Sequence, residues 1–509
     1  MLNQLDQMLN KEDSVTTLTE NGALTLSSSG SKCLDLFAAI GAWRSQTPAY
    51  IADNFAAAFN EDKLLALRIL FFARDVRGGL GERRTFRIIL QWLAKHYPQA
   101  LRANLQYIPF FGRFDDVLEL LDTELRPEVM ALIKEQLEAD IKGLEDNKPI
   151  SLLGKWLPSS NTSSKKSVHY ANKIAKELGW KISDYRKTLS KLRRAIDIVE
   201  TYICKSQYTF DFSKLPSQAL KRYSRLFQRK DGERYSSYLQ AVNSGEAKMN
   251  TGTLLPCDIV CRALQLLWGN KEQAQIEAER TALDTMWKQL PDFTNSGNNI
   301  AVVDTSGSMT CSCDGQSSMR PIDVAVSLGL YFAEHNTGCF HNAFLTFSAE
   351  PSLIKINGED IMEKARRCTL ASWGQNTNVK AVFDVILKAA LAEKASQEEL
   401  PQTIFIISDM EFDDCTKNAD VTNFELAKAT YARHGYKLPS VVFWNVAARN
   451  KQVPVGRNEQ GAALVSGYTP RLFGQIFDIA DKTPMDLMLE IVGAERYQCI
   501  TLPEESAHA

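Results

Sequence analysis

The 509-residue sequence predicts two halves of different fold class: an α-solenoid of stacked helix pairs over residues 1–290, and a doubly wound, Rossmann-like α/β domain over 296–509. Three observations carry this. Residues 30 to about 290 repeat apolar side chains at i, i+3, i+4 and i+7, the spacing of one helix face. A stretch rich in Pro, Gly, Asn and Ser, "QLPDFTNSGNN", interrupts that pattern near residue 290 and reads as a linker. Beyond it, short β-branched runs alternate with helical segments, the grammar of a parallel sheet covered on both faces.

In the first half, "KCLDLFAAIGAWR", "YIADNFAAAFNEDKLLALRILFFARDV", "RRTFRIILQWLAKHY" and "RFDDVLELLD" are amphipathic, and Pro98, Pro109 and Pro127 punctuate them. Helix follows helix through short connectors, which implies antiparallel pairs of the HEAT type. No fixed-period repeat is present in the sequence. In "RDVRGGLGERRTFR", Gly78, Gly79 and Gly81 read as a tight inter-helix turn requiring positive φ rather than as an anion cradle.

In the second half the strands are "IAVVD", "NAFLTFS", "SLIKI", "TIFIISDM" and "SVVFWNVA", with helices near 321–335, 379–394, 420–434 and 483–492. Such sheets bind ligands at the carboxyl ends of their strands, where strand order reverses. Asp304 ends the first strand, and Ser306 and Ser308 follow at steps of two. Thr377 precedes a helix, and Asp409 ends the strand of "IISDM". Two carboxylates and three hydroxyls form an oxygen-only set that suits Mg²⁺, with Mn²⁺ or Ca²⁺ as alternatives, and leaves a coordination position open to an acidic group from a partner. Asp304-x-Ser306-x-Ser308, then Thr377, then Asp409, is similar to the metal-ion-dependent adhesion site of von Willebrand factor A domains. Asp413 and Asp414 are expected in a solvated acidic turn, and "CSCDGQSSMR" (311–320) in a surface loop.

Enzyme readings fare less well. A haloacid-dehalogenase phosphatase would carry a second Asp where Ser306 stands, and G-x-S-x-G is missing. The six histidines supply no clear triad partner. A Mg-dependent phosphoryl-transfer enzyme is therefore an alternative, as is a protein–protein scaffold acting through the metal site alone; no catalytic residue is expected. The ten dispersed cysteines lack paired zinc spacing, and the amino-terminal residues lack a secretory pattern, so a reducing cytoplasm is expected. No apolar run approaches the roughly 20 residues of a membrane span, and no membrane partner is expected.

Charge is segregated along the chain. Its net charge is -2, yet residues 151–235 hold 19 Lys and Arg against 7 Asp and Glu, so this segment carries +12 and the remainder -14. In "YRKTLSKLRR", Leu189, Leu192 and Ile196 mark a packed stripe, while Lys187, Lys191 and Arg194 share the opposite face. That face suits a phosphate backbone. Lys155, Lys165, Lys166, His169, Arg193, Arg222 and Arg225 extend the candidate RNA-binding set, with Trp156, Tyr185, Tyr223, Tyr235 and His169 available for base stacking.

Together "FFARDVRGGLGER", "IPFFGRFDDVLEL", "KWLPSSNTSS", "YRKTLSKLRRAIDIVE", "AVVDTSGSM" and "ISDMEFD" resemble the DUF2828 family, itself similar to the TROVE-module RNA-binding proteins of the Ro 60-kDa autoantigen type. The resemblance spans about residues 20 to 495. It implies a HEAT-like helical ring closed by a von Willebrand factor A domain, binding of small structured RNAs on a basic outer surface, and capture of misfolded RNA ends in the central hole. It also implies metal ligation by Asp304, Ser306, Ser308, Thr377 and Asp409, and an RNA-facing role for "KWLPSSNTSS" and "YRKTLSKLRR".

Overall fold

The computed structural model describes residues 16–269, 273–294, 297–310, 319–347, 350–370, 377–413, 422–476 and 478–503. Helices occupy residues 32 to 288 almost without interruption, and every strand but those of one short hairpin lies beyond residue 298. Local chemistry sets the helix ends. Ser31, Thr47 and Asp62 each accept a backbone N–H from the first turn of the helix that follows. Asp62 closes helix Pro48–Glu61 and opens Lys63–Arg74, so one polar residue punctuates two apolar helices.

The turn after Arg74 depends on glycine. A Cβ at Gly79 would stand 1.9 Å from the Phe72 carbonyl oxygen, and Gly81 holds φ at +73°. Behind this turn Arg74 and Asp116 are both buried, with Arg74 Nη2 2.6 Å from Asp116 Oδ2. Arg87 Nε reaches the other oxygen at 2.6 Å and Nη1 reaches Glu119 at 3.0 Å. The network joins helix Lys63–Arg74 to Arg84–His96 and Phe114–Val117, so the "ARDVRGGLGER" and "GRFDD" motifs are parts of one buried ion-pair cluster.

The α/β half is a six-stranded sheet. Its strands are β3 (Asn299–Asp304), β4 (Ala343–Phe347), β5 (Leu353–Lys355), β6 (Thr403–Ser408), β7 (Ser440–Asn445) and β8 (Ala462–Ser466), in the order β5-β4-β3-β6-β7-β8. All neighbours are parallel except β4 and β5. The alternation of strand and helix therefore describes the domain correctly, with two differences. "SLIKI" forms an antiparallel edge strand: it follows β4 too closely for a crossover helix. "AALVS" adds β8, which sequence inspection passed over because its small side chains carry little β signal.

The first described segment also departs from a simple two-part division. β1 (Thr16–Leu18) and β2 (Leu24–Leu26) form an antiparallel hairpin that docks on the α/β domain. Gly22 bridges to Asp413, and Leu26 exchanges backbone hydrogen bonds with Val453 at 3.1 and 2.9 Å.

Both ends of the helical half meet this domain. At the amino-terminal end, Ser466 Oγ donates to the Phe37 carbonyl at 3.2 Å, and a Cβ at Gly41 would lie 2.6 Å from the Ser466 carbonyl oxygen. Asp75 accepts from Arg496 and from the Tyr497 hydroxyl, and burial, which would raise its pKa, is outweighed by the Arg496 hydrogen bonds, which hold it low. At the carboxyl-terminal end Trp287 Nε1 donates to Glu334 at 2.7 Å, and Asp284 accepts the Ile361 N–H at 3.1 Å. The chain thus makes a closed circuit, with the sheet domain between the first helices and the last.

Removing one partner of a buried ion pair strands the other charge. Asp116→Ala is expected to cost about 3–5 kcal/mol in the helical half, read as a lowered unfolding midpoint by circular dichroism at 222 nm. A midpoint like that of the wild type would show that Arg74 finds another acceptor.

Candidate metal centre and nucleic-acid interface

The metal centre is built where strand order reverses. β3 lies between β4 and β6, so the chain leaves its end in a crevice between diverging connections. Asp304 ends β3, and Asp409 follows the last residue of β6. Their relative exposures are 0% and 2%. Asp304 Oδ2 accepts from Ser408 Oγ at 2.5 Å and Oδ1 accepts from the Ser306 N–H at 2.9 Å. Ser306 Oγ and Ser308 Oγ are 2.9 Å apart, and the Ser308 hydroxyl also hydrogen-bonds the Asp409 carboxylate. Four of the five expected ligands are therefore brought into one connected cluster.

Thr377 joins them through Glu411. Its hydroxyl lies 2.8 Å from the Glu411 carbonyl oxygen and 2.8 Å from Asp413 Oδ1, and accepts from Asn21 Nδ2 at 3.0 Å. Asp413, expected in a solvated turn, is half-buried and holds the Thr377 loop: its Oδ2 also accepts the Thr377 N–H at 2.7 Å. The loop backbone needs an acceptor there, and the carboxylate supplies it. Asp414 and residues 311–318 lie outside the described residues.

Burial raises the pKa of Asp304, and the adjacent Asp409 charge adds to it against the Ser408 and Ser306 donors. Asp409 is raised for the same first reason, opposed by Ser308 and Arg449. These are carboxylates with little neutralising charge. Among the described residues the cation placed on them is Arg449, whose Nη2 donates to the Ser308 carbonyl at 2.7 Å and lies 3.2 Å from Asp409 Oδ2. Among the described residues no three His, Cys, Asp or Glu side chains gather as a metal cluster. A cation here would rest on two carboxylates plus hydroxyls, and this hard-oxygen set fits Mg²⁺. Asp304, Ser306, Ser308 and Asp409 would hold it, with Thr377 adjacent.

The basic face is partly as expected. Lys187, Lys191 and Arg194 are exposed on helix Ile182–Ala195 and make no ion pair among the described residues. Lys165 and His169 are exposed on helix Lys165–Glu177, and Lys166 stands 3.8 Å from Glu119. Lys155 lies over one side of the half-buried Trp156, whose ring also carries the Arg113 guanidinium at 4.0 Å.

Several expected contacts are otherwise engaged. Arg193 is half-buried and donates to the Gly154 and Leu157 carbonyls and to Ser159 Oγ, clasping "GKWLPS" to the helix. Tyr185 is buried with its hydroxyl on the Pro158 carbonyl, and Tyr235 is buried against Ser224, so neither ring can stack on a base. Both fall on the packed stripe of their helices, which outweighs their aromatic character. Tyr223 is half-buried, its hydroxyl on Glu200. Arg222 and Arg225 are exposed on helix Ser217–Lys230, and Arg225 pairs with Glu279 at 3.0 Å.

Residues 19–126 and 121–297 match the family described as a domain of unknown function, DUF2828. An uncharacterized protein of Acanthamoeba polyphaga mimivirus is 31% identical over 513 aligned residues, 94% of this chain and 87% of that one. The chain belongs to the DUF2828 family. Residues 298–487 of this DUF2828 protein match a second domain of unknown function, DUF7788. Among solved structures, the Ro (RSR) protein of Deinococcus radiodurans aligns over 92% of this chain and 100% of its own, at 15% identity and a TM-score of 0.48.

Sequence inspection of this DUF2828 chain missed Glu411 and Arg449. Glu411 is buried and accepts from the Glu20 N–H, Asn450 Nδ2 and Gln452 Nε2 at 2.9, 2.8 and 2.6 Å. Burial raises its pKa against these donors. The available signal was position: both residues follow the carboxyl end of a strand, β6 for Glu411 and β7 for Arg449.

A carboxyl whose pKa is raised on folding binds its proton more tightly in the native state. Stability is then greatest at acid pH and falls as pH rises from the ordinary carboxylate range toward the raised value. With divalent cations chelated, the thermal midpoint of the wild type should fall between about pH 5 and 7 by a few degrees more than that of Asp304→Asn. Parallel profiles in differential scanning fluorimetry would count against a buried, uncompensated Asp304.

Proposed function

We propose that this protein is a non-enzymatic, cytoplasmic RNA-binding protein whose helical half holds structured or misfolded RNA and whose α/β domain is a Mg²⁺-dependent partner site. The observation that carries the RNA reading is the row of exposed cations Lys187, Lys191 and Arg194, which make no ion pair among the described residues; Lys165 and His169 are exposed on the preceding helix. Cations that lack protein partners are available to phosphates, and a spacing of three or four residues aligns them along one helix face. Charge segregation supports the same reading, since +12 is confined to residues 151–235 of a chain whose net charge is -2. The resemblance to TROVE-module proteins points the same way.

The metal half of the proposal rests on the oxygen-only cluster at the strand ends. A bound Mg²⁺ would supply a Lewis-acidic position for an acidic side chain. Ser306 and Ser308 present their hydroxyls side by side, Asp304 is oriented by Ser408, and Thr377 is set by Asp413. Ser306 stands where an aspartyl phosphatase would need its second carboxylate, which favours binding over phosphoryl transfer. No helix among the described residues is long and apolar enough to cross a membrane.

Charge reversal of Lys187, Lys191 and Arg194 to Glu should weaken binding to a structured RNA at least tenfold in fluorescence anisotropy, and lower the slope of log affinity against log salt by roughly 2. Unchanged affinity would move the RNA site elsewhere. Asp304→Ala should abolish Mn²⁺ binding measured by electron paramagnetic resonance while RNA affinity stays within about twofold, since direct phosphate contacts rest on other residues. Loss of both together would contradict separate sites.

A further inference from the structure

The hairpin of β1 and β2 reaches the mouth of the metal centre. Its turn, Thr19 to Gly22, is tight: Gly22 holds φ at +88° and its N–H donates to the Thr19 carbonyl at 3.0 Å. The turn is fixed almost wholly by polar contacts to the loop that follows β6. Thr19 Oγ1 donates to the Phe412 carbonyl at 2.6 Å, and the Glu20 N–H donates to Glu411 Oε2 at 2.9 Å. Asn21 Nδ2 bridges Thr377 Oγ1 at 3.0 Å and the Glu411 carbonyl at 2.8 Å.

The Glu20 side chain, 50% exposed, is then held between two donors. Arg449 Nη1 stands 3.3 Å from Oε2, and Asn450 Nδ2 donates to Oε1 at 3.2 Å. Arg449 also holds Asp409 Oδ2 at 3.2 Å through Nη2. One guanidinium therefore bridges an acidic residue of the amino-terminal turn and a carboxylate of the metal centre.

This arrangement has the chemistry of a clasp that holds a cationic side chain in the place of a metal ion. A cation entering between Asp304 and Asp409 must compete with Arg449 for Asp409, because like charges a few ångströms apart repel. The turn strengthens Arg449 in that contest by placing a second carboxylate on it. The hairpin is small: each of its strands has three residues, and Leu18 is exposed.

We propose that the Thr19–Gly22 turn guards the metal centre, with Glu20 holding Arg449 on Asp409 as a clasp, so that docking of the turn and occupation of the centre by a cation exclude one another. The inference rests on the metal reading above and names a device that regulates that site. An acidic segment from another molecule would have to displace this turn, and a bound cation releases it.

Full-length protein is titrated with Mn²⁺, followed by electron paramagnetic resonance and, in parallel, by Glu-C cleavage after Glu20. Cleavage at Glu20 should accelerate on saturation with Mn²⁺. Asn21→Ala, which touches no acidic ligand, should tighten Mn²⁺ binding about threefold by weakening the docked turn, and Arg449→Gln about tenfold by removing the competing charge. Mn²⁺ binding with neither change in cleavage nor change in affinity overturns the clasp and leaves the metal centre standing. Absence of Mn²⁺ binding in all three proteins overturns the metal reading itself, and this inference with it. Circular dichroism of both variants separates these outcomes from misfolding.

Discussion

The reversal of strand order between β3 and β6 is the constraint on which the metal centre depends. Parallel strands bring their carboxyl ends to one edge, and the connections leave that edge in opposite directions only at this point. Asp304 and Asp409 come together there although 104 residues separate them in the chain. The cost is burial of two carboxylates side by side, and the neighbouring residues answer it. Ser408, Ser306 and Ser308 donate to them, and Arg449 brings a positive charge from the end of β7. A rigid sheet holds these groups in a geometry that a flexible loop could not keep against their mutual repulsion.

Around this centre a second layer is organised by Glu411. It is buried, it gathers donors from the amino-terminal turn and from the segment after β7, and its carbonyl accepts from Asn21. Segments that begin near residue 20 and near residue 450 are tied to one residue after β6. The first described residues, from Thr16 onward, thus belong physically to the last domain. The helical half is fixed by the same principle at larger scale. Close backbone approach at Gly41 and the Asp75–Arg496 pair secure one end, and Trp287 with Glu334 secures the other. The basic helices lie between these two anchored ends in sequence.

Much of this was legible in the sequence for identifiable reasons. Period-3.6 apolar spacing marked the helices, and continuous β-branched runs marked β3, β6 and β7, because burial on both faces leaves no alternation to confuse them. Asp304, Ser306 and Ser308 stood out because three hard oxygens at steps of two after an apolar run have few other uses. Lys187, Lys191 and Arg194 were readable because helical spacing alone decides which face they share. β8 was not readable, since Ala462 and Ala463 carry little strand preference. The burial of Tyr185 and Tyr235 and the clasp made by Arg193 were not readable, because an aromatic ring or a guanidinium has the same letter whether it faces solvent or holds a neighbouring loop.

The sequence by itself therefore determined the class of each half, the order of the candidate metal ligands and the sign of each surface, since all three follow from local spacing and composition. Only the tertiary structure decided which groups meet. It placed Arg449 on Asp409, Asp413 beneath Thr377 and Glu20 at the mouth of the centre. The physical reason is that these contacts join residues 36 to 429 positions apart, and no local propensity encodes an encounter at that separation.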